Sequence, residues 1–104
     1  MNANNREADR TIRAFVHGRV QKVGYRAWVN AHAQALGLRG FVRNRLDGSV
    51  EAVFAGDPDR VAQMAESLLR GPPNAAVSGV QITDESESAL EETFGAHFVV
   101  LPTR

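Results

Sequence analysis

Between Thr11 and His17 the chain alternates, with Ile12, Ala14 and Val16 on one side and Phe15 on the other, the period of a strand. From Tyr25 the spacing changes to three and four. Tyr25, Val29, Ala33 and Leu36 recur with Trp28, Ala31 and Ala35 beside them, which predicts a helix over 25–38 ended by Gly37 and Gly40. Two short apolar runs follow, 40–45 and 49–55, separated by Leu46-Asp47-Gly48. Asp-Gly between such runs predicts an antiparallel hairpin. Asp57-Pro58-Asp59 then supplies an N-cap and a proline at the first helical position, and Val61, Met64, Ala65 and Leu68 keep helical spacing up to Gly71-Pro72-Pro73. Ala76 to Thr83 reads as a strand through Val77, Val80 and Ile82, weakened by Gly79. The acidic stretch 84–92 shows neither period and is read as an irregular loop. Ala96 to Leu101 reads as a last strand, with Pro102 stopping it.

Strand, helix, strand, strand, helix, strand is the order of a ferredoxin-like βαββαβ sandwich, an α+β fold. Two helices would cover one face of an antiparallel sheet, and the C-terminal run can add an edge strand. The core then draws on the apolar positions of every element. With 104 residues the expectation is a flexible tail over 1–10 and one domain over 11–104. That fold hosts many unrelated functions and names none of them.

Composition narrows the choice mainly by exclusion. Twelve basic residues balance twelve acidic ones, so no net field draws the chain to nucleic acid or to anionic lipid. With no cysteine there is no disulfide, no thiolate nucleophile and no Cys-based metal site. Residues 1–9 lack the apolar stretch of a signal peptide, and no run is long enough to span a bilayer, which predicts a cytoplasmic location. His17, His32 and His97 lie in three different elements without metal-ligand spacing, so no metal and no other cofactor is expected. The serines lack a nucleophile elbow.

Charge is unevenly placed. Arg19, Lys22, Arg26, Arg39, Arg43 and Arg45 fall in the first half, while Asp84, Glu85, Glu87, Glu91 and Glu92 gather near the end. The basic half contains Gly18-Arg19-Val20-Gln21-Lys22-Val23-Gly24-Tyr25-Arg26, which closes the first strand and opens the first helix. A loop with two glycines can turn its N–H groups inward as a nest, and the helix start behind it adds unpaired N–H groups and a positive dipole end. Phosphate suits such a cradle, and Arg26 on the first turn can place a planar cationic fork over it. Arg19, Arg43 and Arg45 read as exposed strand-end charges that at most steer a polyanion inward. Trp28 and Phe41 read as core.

The cradle and a second segment, Gly40 to Glu51, together carry a resemblance. Gly18, Val20, Gln21, Val23, Tyr25 and Arg26 match Gly-x-Val-Gln-Gly-Val-x-Phe/Tyr-Arg; Gly40, Phe41, Val42, Arg43, Asn44 and Gly48 match Gly-aromatic-small-basic/Gln-Asn with a turn glycine. The chain resembles the acylphosphatase family over residues 11 to about 101. The resemblance implies hydrolysis of the carboxyl–phosphate bond of small acyl phosphates, releasing a carboxylate and inorganic phosphate without metal or covalent intermediate. It implies that Arg26 and the amides of Gln21, Lys22, Val23, Gly24 and Tyr25 hold the phosphoryl group while Asn44 positions the attacking water. Lys22 departs from the family's usual glycine, and a positive φ there would cost a lysine roughly 1–2 kcal/mol.

Rival readings want features that the sequence lacks. An RNA-binding module of this fold wants paired aromatics and a basic face, and a metal chaperone wants a CxxC. An inactive regulatory or carbamoyl phosphate-binding domain of a larger enzyme would not need both Arg26 and Asn44. The expectation is a free enzyme with a small-molecule partner, no nucleic acid and no membrane. A monomer is expected, although the end strand near Phe98 leaves an edge on which a second chain could pair.

Overall fold

The computed structural model describes residues 9–93 and 97–104. The N-terminal tail up to Ala8, and Ala96 at the expected start of the last strand, lie outside the described residues. The elements are β1 (Arg10–Arg19), α1 (Tyr25–Ala35), β2 (Arg39–Asn44), β3 (Val50–Gly56), α2 (Pro58–Leu68), β4 (Ala76–Glu85), a 3-10 helix (Glu87–Thr93) and β5 (Phe98–Val100). The sheet order is β4-β1-β3-β2-β5. The first four strands pair antiparallel, as expected of the ferredoxin-like arrangement, whereas β5 runs parallel to β2 and makes the sheet mixed. No helix among the described residues is long and apolar enough to cross a membrane.

Alternation along each strand gives the sheet two different faces. Ile12, Ala14 and Val16 of β1, Val42 of β2 and Val50, Ala52 and Phe54 of β3 meet Tyr25, Val29 and Ala33 of α1 and Val61, Met64 and Leu68 of α2. The hydrophobic drive is the removal of these side chains from water, each of which is essentially inaccessible. α2 starts as its sequence predicts, with the Asp57 carboxylate accepting from the Arg60 N–H at 3.2 Å and Pro58 at the first helical position. Tyr25 ties the helices together across the core. Its buried hydroxyl donates to the Leu68 carbonyl at 2.8 Å, and burial pushes the phenol above its usual range, so it remains a donor. Tyr25→Phe strands that carbonyl, and a loss of about 1–2 kcal/mol in urea-unfolding stability is expected.

The acidic stretch is not the irregular loop expected from its composition. Asp84 and Glu85 complete β4, and Glu87–Thr93 forms the 3-10 helix. Leu90 in that helix is buried on Phe41, Val53 and Ala55, so it covers the sheet face opposite the long helices. Its neighbours neutralise arginines: Asp84 pairs with Arg10 at 3.0 Å, Glu85 with Arg13 at 3.2 Å and Glu87 with Arg39 at 3.0 Å. A single apolar anchor among charges leaves no period to read, which is why the pattern missed it.

Arg43 likewise departs from expectation. It is buried, not an exposed strand-end charge, and its guanidinium lies over the Phe41 ring. Glu51, itself buried, accepts from Arg43 Nε at 2.9 Å and from Arg45 Nη1 at 3.1 Å, and also pairs with Arg13. This cluster fixes the base of the β2–β3 hairpin on the Leu90 side. At the hairpin tip the Asp47 carboxylate accepts from the hydroxyl and the N–H of Ser49 at 2.6 and 2.9 Å. Those bonds, the hydroxyl's first, hold the Asp47 carboxyl below its ordinary pKa, so their support for the turn persists above the usual carboxylate range and is lost only on acidification below it.

Candidate active site

The segment between β1 and α1, residues 20–24, holds only one of the two glycines expected in the loop: Gly18 falls inside β1, opposite Val77 of β4 where the register shifts, and Gly24 alone shapes the turn. Gly24, the N-cap of α1, takes the left-handed conformation at φ 83, and a Cβ there would point into open space. Lys22 does the same at φ 64 and is the only non-glycine residue with positive φ among those described. The strain anticipated for a lysine at this position is therefore present. Lys22→Gly should raise the urea midpoint, adding roughly 0.5–1 kcal/mol once the extra freedom of glycine in the unfolded chain is offset against the relieved strain.

This conformation leaves a set of main-chain donors. The first helical hydrogen bond runs from the Trp28 N–H to the Gly24 carbonyl, and no side chain caps the helix. None of the N–H groups of residues 22–27 has an acceptor among the described residues. Helix starts normally satisfy such donors with an N-cap side chain. Here glycine holds the cap position and the donors stay available.

A cavity of about 360 Å³ opens beside these donors, lined by Val20, Lys22, Gly24, Tyr25, Arg26, Ala27, Asn30, Asn44 and Val100. Arg26 is half-buried and forms no ion pair with a described carboxylate. That separates it from Arg39, Arg43 and Arg45 of the basic half, which are all engaged by acidic side chains. Among the described residues the lining holds two cationic side chains and no carboxylate, and a cation at a helix N-terminus lacks the helix dipole's support. The arrangement favours an anion as its occupant.

Asn44 reaches the cavity through the alternation of β2. Phe41 and Arg43 point to the Leu90 side, so Asn44 at the end of the strand faces the helix side with Val42. Its main chain is held on both flanks, by registration opposite Val50 in β3 and by the Arg104 N–H, which donates to the Asn44 carbonyl at 3.1 Å. The residue is 8% exposed, and its Oδ1 is buried with no hydrogen-bond donor supplied by the described residues. A buried amide oxygen without a partner costs about 1–3 kcal/mol, so an acceptor kept in that state beside a cavity marks a place where a bound donor belongs.

Of the sequence-derived site residues, the fold brings Lys22, Gly24, Tyr25, Arg26 and Asn44 to one cavity. Gln21 and Val23 serve it differently. Gln21 Nε2 donates to the carbonyls of Arg45 and Ser49, both at 2.9 Å, and so bolts the loop to the hairpin that carries Asn44. Val23 packs against the core, and Tyr25 commits its ring and hydroxyl to the interior, so these two offer the cavity only main-chain groups. Sequence reasoning passed over Ala27, Asn30 and Val100. Asn30 was signalled by its place four residues after Arg26 on one helix face. Val100 reaches the cavity only because β5 joins the sheet beside β2, a pairing that carries no local signal.

His17 hydrogen-bonds Gln81 at 3.1 Å on the neighbouring strand. Among the described residues no three His, Cys, Asp or Glu side chains gather as a metal site.

Comparison with known proteins points to one family. The family model described as acylphosphatase matches residues 12–96. An acylphosphatase of Bradyrhizobium diazoefficiens is 50% identical over 95 residues, which cover 88% of this chain and 94% of that protein. Among solved structures, an acylphosphatase from Coxiella burnetii superposes with a TM-score of 0.80 at 33% identity, covering 96% of this chain and 100% of that one. One from Bacillus subtilis gives 0.80 at 32% identity, covering 88% and 98%. With the family model spanning residues 12–96, and so both segments that meet at the cavity, and with a relative half identical over nearly its whole length, the chain belongs to the acylphosphatase family.

Proposed function

We propose that this acylphosphatase hydrolyses the carboxyl–phosphate bond of small acyl phosphates by direct attack of water on phosphorus. The amides of 22–27 and the Arg26 fork hold the phosphoryl oxygens, and Asn44 orients the water. The observation that carries the reading is the convergence of Arg26, the loop and Asn44 on one cavity, with no described residue supplying a donor to Asn44 Oδ1. A water hydrogen donated to that oxygen would leave a water lone pair free to point at the anion in the cradle.

The chemistry asks for little else. A carboxylate whose acid has a pKa of about 4 departs without protonation, so no general acid is required. Charge in the loose phosphoryl transition state spreads over the non-bridging oxygens, where fixed N–H dipoles and one guanidinium act most strongly. The Asn44 amide does not titrate near neutrality and can only orient, so the water's proton passes late, to a phosphoryl oxygen. The reading is of a monomeric, cytoplasmic enzyme meeting a diffusing substrate.

Hydrolysis of an aromatic acyl phosphate in oxygen-18 water with excess chelator tests the proposal. The label is expected in inorganic phosphate, activity is expected to survive the chelator, and turnover at saturating substrate is expected to vary little through the neutral range, since the described residues give the cavity lining no histidine or carboxylate. Label in the carboxylate, or activity lost with the chelator, contradicts it.

A further inference from the structure

An acyl phosphate has two ends, and the loop, Arg26 and Asn44 address only the phosphoryl one. The rest of the lining is Val20, Ala27, Asn30 and Val100. Three of these are apolar, and Asn30 is the exception. It lies one turn after Arg26, which puts the two Cβ atoms about 5–6 Å apart on the same side of α1. Its amide is also oriented: Asn30 Oδ1 accepts from Gln34 Nε2 at 3.0 Å, a further turn along the helix. With its oxygen so engaged, Asn30 has only its NH₂ left to offer, and no described residue accepts from it.

We propose that Asn30 donates this N–H to the acyl carboxylate as it departs, with Gln34 as the positioning residue that keeps the amide turned that way. The inference rests on the reading above that the cavity hydrolyses acyl phosphates. In that step the bond from phosphorus to the acyl oxygen breaks and its electron pair stays on that oxygen. Water oxygen bonds to phosphorus and passes one proton to a phosphoryl oxygen, so acyl phosphate dianion plus water becomes carboxylate plus dihydrogen phosphate. The charge that grows on the leaving oxygen is the charge that a neutral donor stabilises, and it grows most when the parent acid is weak. Val20, Ala27 and Val100 give the remainder of the acyl group an apolar surface. Asn30 thus makes the site sensitive to the acyl end, which the phosphate cradle by itself leaves unread.

The test is a series of aromatic acyl phosphates whose ring substituents vary the acidity of the leaving acid, assayed on wild type, Asn30→Ala and Gln34→Glu. Asn30→Ala is expected to lower kcat/KM about tenfold for the weakest leaving acids, the size of one hydrogen bond to a charged group, and progressively less for stronger ones. The dependence of rate on leaving-group acidity therefore steepens. Gln34→Glu supplies an acceptor in place of a donor, turns the Asn30 amide over and steepens it likewise, although Gln34 is exposed and does not line the cavity. Inhibition by inorganic phosphate, which has no acyl end, is expected to stay unchanged in both variants. A uniform fall across the series, or weakened phosphate inhibition in step with the rate, overturns the assignment of Asn30. Arg26→Ala, run alongside, separates this from failure of the underlying reading: full activity and phosphate inhibition in Arg26→Ala would overturn the cradle itself, whatever Asn30 does.

Discussion

Replacing Arg26 with alanine is expected to lower kcat/KM for an acyl phosphate at least about a thousandfold, roughly 4 kcal/mol of barrier, while leaving the fold as stable as before or slightly more so. The two halves of this expectation have one cause. Arg26 has no carboxylate partner among the described residues and stands on the first turn of α1, where the helix dipole disfavours a cation by about 0.3–1 kcal/mol. A residue kept for structure would be satisfied by structure, as Arg43 is by Glu51 and the Phe41 ring. Arg26→Lys keeps the charge but loses the two-pronged geometry, and is expected to fall between alanine and wild type. Steady-state kinetics and urea unfolding on the same preparations check both halves.

Asn44→Ala is expected to lower kcat about a hundredfold with little change in the inhibition constant of inorganic phosphate, because misplacing a nucleophile by an ångström or so costs about that much while the anion is held by other groups. Stability should again hold or rise, since the variant removes a buried acceptor for which no described residue supplies a donor. Asn44→Asp separates orientation from mere occupancy of space. A carboxylate there keeps an acceptor for the water but faces a dianion, so phosphate inhibition should weaken with this variant and not with alanine.

Much of this site is legible in the sequence because its parts are local. Gly24 and Tyr25-Arg26 announce a strand-to-helix turn rich in free N–H groups, and the alternation of Phe41, Val42, Arg43 and Asn44 decides which way Asn44 points. What could not be read depends on pairings across the chain. The parallel partnership of β5 with β2 brings Val100 into the cavity, and Gln21 spans to the hairpin backbone only because β1 and β2 flank β3. Composition misled where charge hid burial. Arg43 looks like a surface cation until Glu51 is found opposite it in the ladder, and Leu90 looks like one apolar residue in an acidic loop until the second face of the sheet needs a cover. Lys22 shows the converse, a residue at odds with its own backbone at φ 64, in the loop where the function lies.

The central claim is that main-chain donors and one guanidinium grasp a phosphoryl group at the start of α1. Titration of the isotopically labelled protein with inorganic phosphate, followed through its amide resonances, addresses it directly. The account predicts saturable shifts concentrated at the N–H groups of residues 22–27 and at the Asn44 side chain, abolished in Arg26→Ala. Shifts centred instead on the cavity of about 280 Å³ lined by Arg43, Leu101, Pro102, Thr103 and Arg104, or persisting unchanged without Arg26, would contradict it.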